Sequence, residues 1–228
     1  MSGALMPGSI LFEFPELFLK ALGYTIQLSL IGSGGALLIG TVIALFRVSP
    51  IPPLRWIGVA FVEFFRNTPL LVQIFFLWLG LGALGFRYFT TDTFETIFRA
   101  ATLGMALYHG AYVAEVIRGG LIGIERGQIE AARSLGLSFI QTLRYVQLPQ
   151  TFRATVPPLG NIGIALIKNT SLASTIGVAD LLQAAEVVES RTFRTEEAFG
   201  VVVLLYLVLT IPAGLGVNWL EKRMLIAR

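Results

Sequence analysis

The chain has 228 residues, of which 55% are apolar and only 14% are charged, with 17 Lys+Arg against 14 Asp+Glu and a net charge of +3. A water-soluble domain carries about a quarter charged residues, so this sequence cannot coat a water-facing surface and reads as an integral membrane protein. The absence of cysteine and the single histidine exclude disulfide scaffolds, thiolate sites, multi-histidine metal centres and histidine relays. The small net charge, with no basic patch interleaved with aromatics, gives no footprint for nucleic acid.

The first 20 residues hold Glu13, Glu16 and two prolines without a basic start, which predicts an amphipathic or irregular outer segment rather than a cleavable signal peptide. A helix needs roughly 20 apolar residues to cross a bilayer. Leu22 to Phe46 gives 25 residues without a charge, and Asn67 to Phe86 gives 20, preceded by Trp56 to Arg66 with Glu63 and Arg66 inside it. Ala100 to Ala114 is a shorter run, Ala154 to Ala179 is interrupted once by Lys168, and Ala198 to Leu220 is uninterrupted. The expectation is a single all-α transmembrane domain over 1–228 with five spans, at about 20–46, 56–86, 99–117, 154–179 and 198–220. No internal repeat divides these spans into matched halves, as an inverted-repeat carrier would require.

Loop charge sets orientation. Segments 47–55, 118–153 and 221–228 carry ten bases (among them Arg228) and three acids, whereas 1–20, 86–99 and 169–197 carry five bases (among them Arg87) and nine acids. The first set is expected inside, so the N-terminus lies outside and the C-terminus inside. Glu115 and Arg118 are spaced for a boundary ion pair on one helix face. His109, alone on an apolar stretch, reads as packed or hydrogen-bonded rather than as a proton relay. The charged outer stretch 180–197 is either a solvated face or a docking surface. Gly32, Gly34, Gly35 and Gly40 would let a neighbouring helix approach span one closely.

The inner loop 118–153 is too long for a simple connection and is patterned. Residues 126–149 read RGQIEAARSLGLSFIQTLRYVQLP. Ile129 to Leu135 predicts a short helix stopped at Gly136. Ser138 with Gln141 three residues on predicts a capping box opening a second helix, which Pro149 is expected to break. Leu135, Leu137, Phe139, Ile140, Leu143 and Val146 are too apolar to stand free in water, and must pack under the spans or dock on something.

The spacing Glu130-Ala131-Ala132, Gly136, Val146, Leu148-Pro149 resembles the EAA loop of ABC-transporter permease subunits, EAA-x3-G-x9-I-x-LP, with Val146 for Ile as the one departure. Four stretches narrow the resemblance to permeases for polar amino acids (histidine, glutamate, glutamine, arginine, opines): VEFFRNTPLLVQIFF (62–76), AYVAEVIRGGL (111–121), GQIEAARSLG (127–136) and KNTSLAS (168–174). It covers the chain from about residue 20 onward. Asn67 stands where that group often has Gly. The resemblance implies the permease fold of type I ABC importers. It implies a multi-pass protein of the bacterial cell (inner) membrane and a coupling role for Gly127, Glu130, Ala131, Ala132, Arg133 and Gly136. It also implies the partners: two ATP-binding cassette ATPases, a second permease copy or paralogue, an extracytoplasmic substrate-binding protein, and lipid. No GxxxxGK[ST] occurs, so ATP is expected on the partner, with no cofactor, metal or catalytic step on this chain.

Ionisable groups inside a span are costly unless paired or wet. Glu63, Arg66 and Asn67 share a helix face before Thr68-Pro69, where Pro69 frees the Phe65 carbonyl. Lys168 precedes Asn169, Thr170 and Ser171, poor helix formers rich in donors, after Pro157, Pro158 and Gly160. A helix broken at that depth would line a cavity. The resemblance implies ligand contacts at Glu63, Asn67, Lys168 and Ser171. Glu63 is expected at an α-ammonium, and Lys168 with residues 169–171 at the polar or carboxylate end. The residues alone leave open that Glu63 simply pairs with Lys168 or with Arg66. They also leave open a proton-coupled secondary carrier using Glu63, Glu115 and His109.

Overall fold

The structure, a computed structural model, describes residues 8–86 and 94–224; Arg87, Arg228 and the start of the expected outer segment lie outside them. Among the described residues every regular element is helical. α1 (Gly8–Glu13) turns at Phe14 into α2 (Pro15–Val48), whose first turn accepts Pro15 because an N–H there would have no intrahelical partner. α2 is 34 residues long, about 50 Å at 1.5 Å per residue. It ends where Ser49, the residue before Pro50, is forced to extended backbone.

The span expected over 56–86 is not straight. α3 (Pro52–Asn67) and α4 (Leu70–Phe75), which continues through a π turn (Phe76–Gly80) into α5 (Leu81–Ala83), meet at 107°. Thr68, ahead of Pro69, is extended at φ −114°, ψ 141°. Gln73 covers the broken ladder: its amide nitrogen donates to the Phe65 carbonyl at 3.0 Å, the Thr68 carbonyl at 3.1 Å and Thr68 Oγ1 at 2.7 Å.

α6 (Phe94–Ile122) leads to α7 (Arg126–Ser134). Gly136 then turns the chain with φ of 84°, a left-handed conformation that costs any β-carbon. Ser138 caps α8 (Phe139–Thr142) with the reciprocal bonds of the expected capping box. Pro149 does not interrupt the helical path. The chain runs from α8 through a π turn (Leu143–Gln147) into α9 (Leu148–Asn169), and that turn's departure from regular α bonding comes just ahead of Pro149, which has no N–H to give. Nor do Pro157 and Pro158 interrupt α9. The break falls later, at the polar run, where the helix tightens into a 3₁₀ segment (Thr170–Ile176) closed by Gly177 at φ 91°. α10 (Leu181–Thr192) and α11 (Thr195–Met224) complete the chain.

α2 and α11 are each long and apolar enough to cross a membrane on their own. Two bent pairs pass the same test together: the α3–α4 pair, and Phe139–Ile176 with α10, bent by 47°. Three buried clusters follow α2 along its length. Phe18, Leu181, Val188 and Val201 join its start to α10 and α11. Leu28, Ile74, Met105, Leu166 and Ile176 fill the middle, and Ile43, Ala44, Val62, Ala111 and Ala114 close the other end. Polar bonds brace the first cluster. Asp180, fully buried, accepts from the Gln183 amide at 3.0 Å, capping α10, and from the Tyr206 hydroxyl at 3.2 Å. Thr25 Oγ1 accepts from the Leu181 amide at 3.2 Å.

α2 and α6 touch almost backbone to backbone. A β-carbon at Gly35 would lie 2.8 Å from Ala106 Cβ, and one at Gly40 would lie 2.7 Å from the Gly110 carbonyl and against Val113. Gly34 has nothing within 4 Å. Gly40→Ala is therefore expected to destabilise the fold by about 1–3 kcal/mol through overpacking. Gly34→Ala should stay within about 0.5 kcal/mol of the parent. Thermal unfolding in detergent checks the pair, and equal effects would refute the close α2–α6 contact.

Candidate functional site

Glu63 and Asn67 sit one turn apart at the end of α3, where the helix stops for Thr68-Pro69. The Asn67 amide donates to Glu63 Oε2 at 2.9 Å and to the Glu63 carbonyl at 2.7 Å, so the two form one polar unit. Lys168 lies in the last turn of α9 and Ser171 in the 3₁₀ segment, where its hydroxyl donates to the Lys168 carbonyl at 2.9 Å. The structure thus brings Glu63 to Asn67 and Lys168 to Ser171. Among the described residues no ion pair joins Glu63 to Lys168 or to Arg66. The two halves share a floor instead: Leu70 and Ile74, just past Asn67, pack in the cluster that holds Ala173 and Ile176, just past Ser171.

Glu63, Arg66, Asn67 and Lys168 are all exposed on this chain. Such groups cost several kcal/mol against hydrocarbon, so the face they occupy borders water, ligand or protein. The Arg66 guanidinium stacks over the Tyr112 ring at 5.3 Å, and the Tyr112 and Tyr108 hydroxyls are 3.1 Å apart. These two half-buried tyrosines on α6 border the same face and escaped the sequence reading. Their signal was present, since Tyr108 and Tyr112 stand four apart on one helical face.

His109 is buried and bonded, as expected. Nδ1 is 3.0 Å from the Met105 carbonyl and Nε2 is 3.1 Å from Asn169 Nδ2. Glu115 pairs with Arg118 at 2.9 Å and also with Arg47 of α2, which the spacing within one helix could not reveal. Glu63 and Arg66 lie within electrostatic reach of Arg47. At the start of α11 Arg194 binds Glu197 and reaches Glu13 at 2.9 Å, fastening α1 to the α10–α11 junction.

In the loop, Gly127, Glu130, Ala131, Arg133 and Gly136 are exposed and Ala132 is buried. Around Gly136, Leu135 is 81% exposed, Phe139 66% and Ile140 72%. Gln150 at the base of α9 donates to Gln128 of α7 at 2.8 Å, and Thr151 to the Gly120 carbonyl at 3.3 Å.

A bundle with helices apolar enough to span a membrane, exposed charged groups at the ends of α3 and α9, and a loop with an apolar tip is the anatomy of a transport subunit. Residues 11–226 match the family described as "Binding-protein-dependent transport system inner membrane component", and the chain belongs to that family. It is 38% identical to the probable glutamine ABC transporter permease protein GlnM of Bacillus subtilis, covering 95% of this chain and 97% of that one. It is 40% identical to the glutamate transport system permease protein GluC of Corynebacterium glutamicum, over 92% and 95% of the two chains. A solved structure described as an amino acid ABC transporter with histidines superposes with a TM-score of 0.87 at 33% identity, over 98% of this chain and all of that one. An inward-facing MetNI methionine transporter, at 16% identity and TM-score 0.73, shares the fold. The chain is thus a helical inner-membrane permease subunit.

Glu115→Gln would leave Arg47 and Arg118 facing each other without the carboxylate that pairs with both. Loss of a carboxylate from a partly buried cluster is expected to cost about 1–3 kcal/mol. Arg118→Ala in the same chain should recover part of it. Thermal melting of the single and double variants reads this, and additive losses would refute a shared cluster.

Proposed function

We propose that this chain is the permease subunit of an ATP-driven importer for polar amino acids, with five spans, the N-terminus outside and the C-terminus inside. Two copies, or one copy and a paralogue, form the path. An extracytoplasmic binding protein delivers the amino acid at the outer face, where the charged 180–197 stretch gives it a surface. Two ATPases grip the 126–149 loop from inside. The observation that carries this reading is the bare apolar tip of Leu135, Phe139 and Ile140 on a loop stiffened at both ends. Three large apolar side chains standing free in water would cost stability, and a groove on a partner removes that cost. The relatives named for glutamine and glutamate support the substrate class.

Within the path, Glu63 receives the α-ammonium and Asn67 holds its carboxylate in place. Lys168, with the 169–171 turn and Ser171, receives the polar or carboxylate end. The subunit breaks no bond of its substrate. Its work is to present these groups alternately to either side as the loop is drawn in and released.

Gly136→Asp and Glu130→Lys are expected to cut ATP-driven uptake by on the order of tenfold, the effect of about 1.4 kcal/mol of lost docking. The melting temperature should stay close to the parent's. Coupled uptake at the parental rate in both would overturn the docking role. Glu63→Gln and Lys168→Ala should each raise the half-saturating substrate concentration about tenfold. A carrier that handles substrate normally without these charges would refute the site.

A further inference from the structure

Asn169 sits between Lys168 and Thr170, where α9 gives way to the 3₁₀ turn. Its partner is His109, 2% exposed on α6. The Met105 carbonyl, 3.0 Å from Nδ1, can only accept, so Nδ1 carries a proton. Among the described residues no acidic side chain forms an ion pair with the ring. A buried imidazolium there would have no counter-charge, a costly arrangement. The ring is therefore neutral, and Nε2 is an acceptor. Asn169 must turn its NH₂ toward it. The carboxamide oxygen is left facing away, accepts no hydrogen bond among the described residues, and is not sealed from solvent.

The turn itself is fixed. Thr170 Oγ1 is 3.2 Å from the Tyr206 hydroxyl, which donates to buried Asp180. Asn169 is thus held from α6 and its neighbour from α11, so the amide cannot rotate without breaking its bond to His109.

We propose that His109 and Asn169 are a specificity-determining pair: His109 fixes Asn169 as an acceptor, and this biases the Lys168 end of the site toward a side chain that donates N–H and away from a carboxylate. This rests on the reading of Lys168 and Ser171 as substrate contacts. Lys168 by itself favours a carboxylate. A fixed acceptor on the next residue of the turn opposes that preference where the ligand reaches both, because one carboxylate oxygen would then meet Oδ1 lone pair to lone pair. A carboxamide satisfies both, offering its oxygen to Lys168 and its N–H to Asn169. Without His109 the amide is free to turn and donate its own NH₂ to a carboxylate, and the bias is lost.

The test measures binding of radiolabelled L-glutamine and L-glutamate to the permease–ATPase assembly in nanodiscs, with the binding protein left out. His109→Leu should lower the glutamine-to-glutamate affinity ratio about five- to tenfold, the worth of one hydrogen bond and its mismatch. Asn169→Ala should lower it similarly, and the double variant should fall no further, since both remove the same oriented oxygen. A packing defect at His109 would weaken both ligands alike and leave the ratio alone. An unchanged ratio in both single variants, or additive shifts in the double, overturns the pair. Lys168→Ala separates the two claims. If it weakens neither ligand, or if the parent assembly binds neither, the underlying site fails. If it weakens binding while the His109 variant leaves the ratio intact, only the present inference fails.

Discussion

The fold rests on the cost of bringing a charge to hydrocarbon, several kcal/mol per group unless it is paired or wet. α2 and α11 meet this constraint by exposing Leu30, Leu38, Leu204 and Val208, side chains that lie against lipid without penalty. Glu63, Arg66 and Lys168 cannot be placed that way, and no ion pair among the described residues neutralises them. Each therefore needs water, ligand or protein rather than lipid on its exposed side. The 107° bend at Thr68-Pro69 belongs to the same constraint. It frees backbone carbonyls within a pair of helices apolar enough to span, and in lipid such groups persist only where a side chain or water satisfies them, which is the service Gln73 performs.

α9 connects the two ends of the proposed mechanism. It is one helix of 22 residues, about 33 Å long, from the loop to the polar turn. Its base is tied to α7 through Gln150 and to α6 through Thr151. Its tip carries Lys168 and runs into the turn held by His109 and Tyr206. A packed helix does not compress, so a displacement at the loop arrives at the turn as rotation or translation of the same rod. Pro157 and Pro158 remove backbone bonds in mid-rod but leave it helical, and this gives it one place to flex.

Membrane residence, the transport class and the patterned loop were legible because they are written in runs and spacings. Seven fixed positions from Glu130 to Pro149 carry the loop, and the Ser138–Gln141 box formed as read. The illegible part lies in the balance between proline and its surroundings. Pro149 reads as a breaker, yet the π turn ahead of it departs from regular α bonding and the helical path runs on. Pro157 and Pro158 stay inside α9. The interruption falls at the polar run from Asn169 to Ser171, as its composition foretells, because short polar side chains compete for the backbone. Partners from distant helices were also out of reach. Glu115 showed its mate three residues on, but not Arg47 across the α2–α6 seam.

That seam gathers charge near Glu63 without pairing with it directly. Glu115 is one carboxylate between two guanidiniums, so the cluster at the end of α2 and α6 keeps an excess positive charge. Glu63 lies within electrostatic reach of Arg47, and the Asn67 amide donates to Glu63 Oε2. No contact ion pair among the described residues occupies the carboxylate. A carboxylate locked in a contact ion pair would have to break that pair before meeting an ammonium. One bonded to a single amide would meet it without that cost. In the proposed transport cycle, reversible capture requires such a vacant first partner.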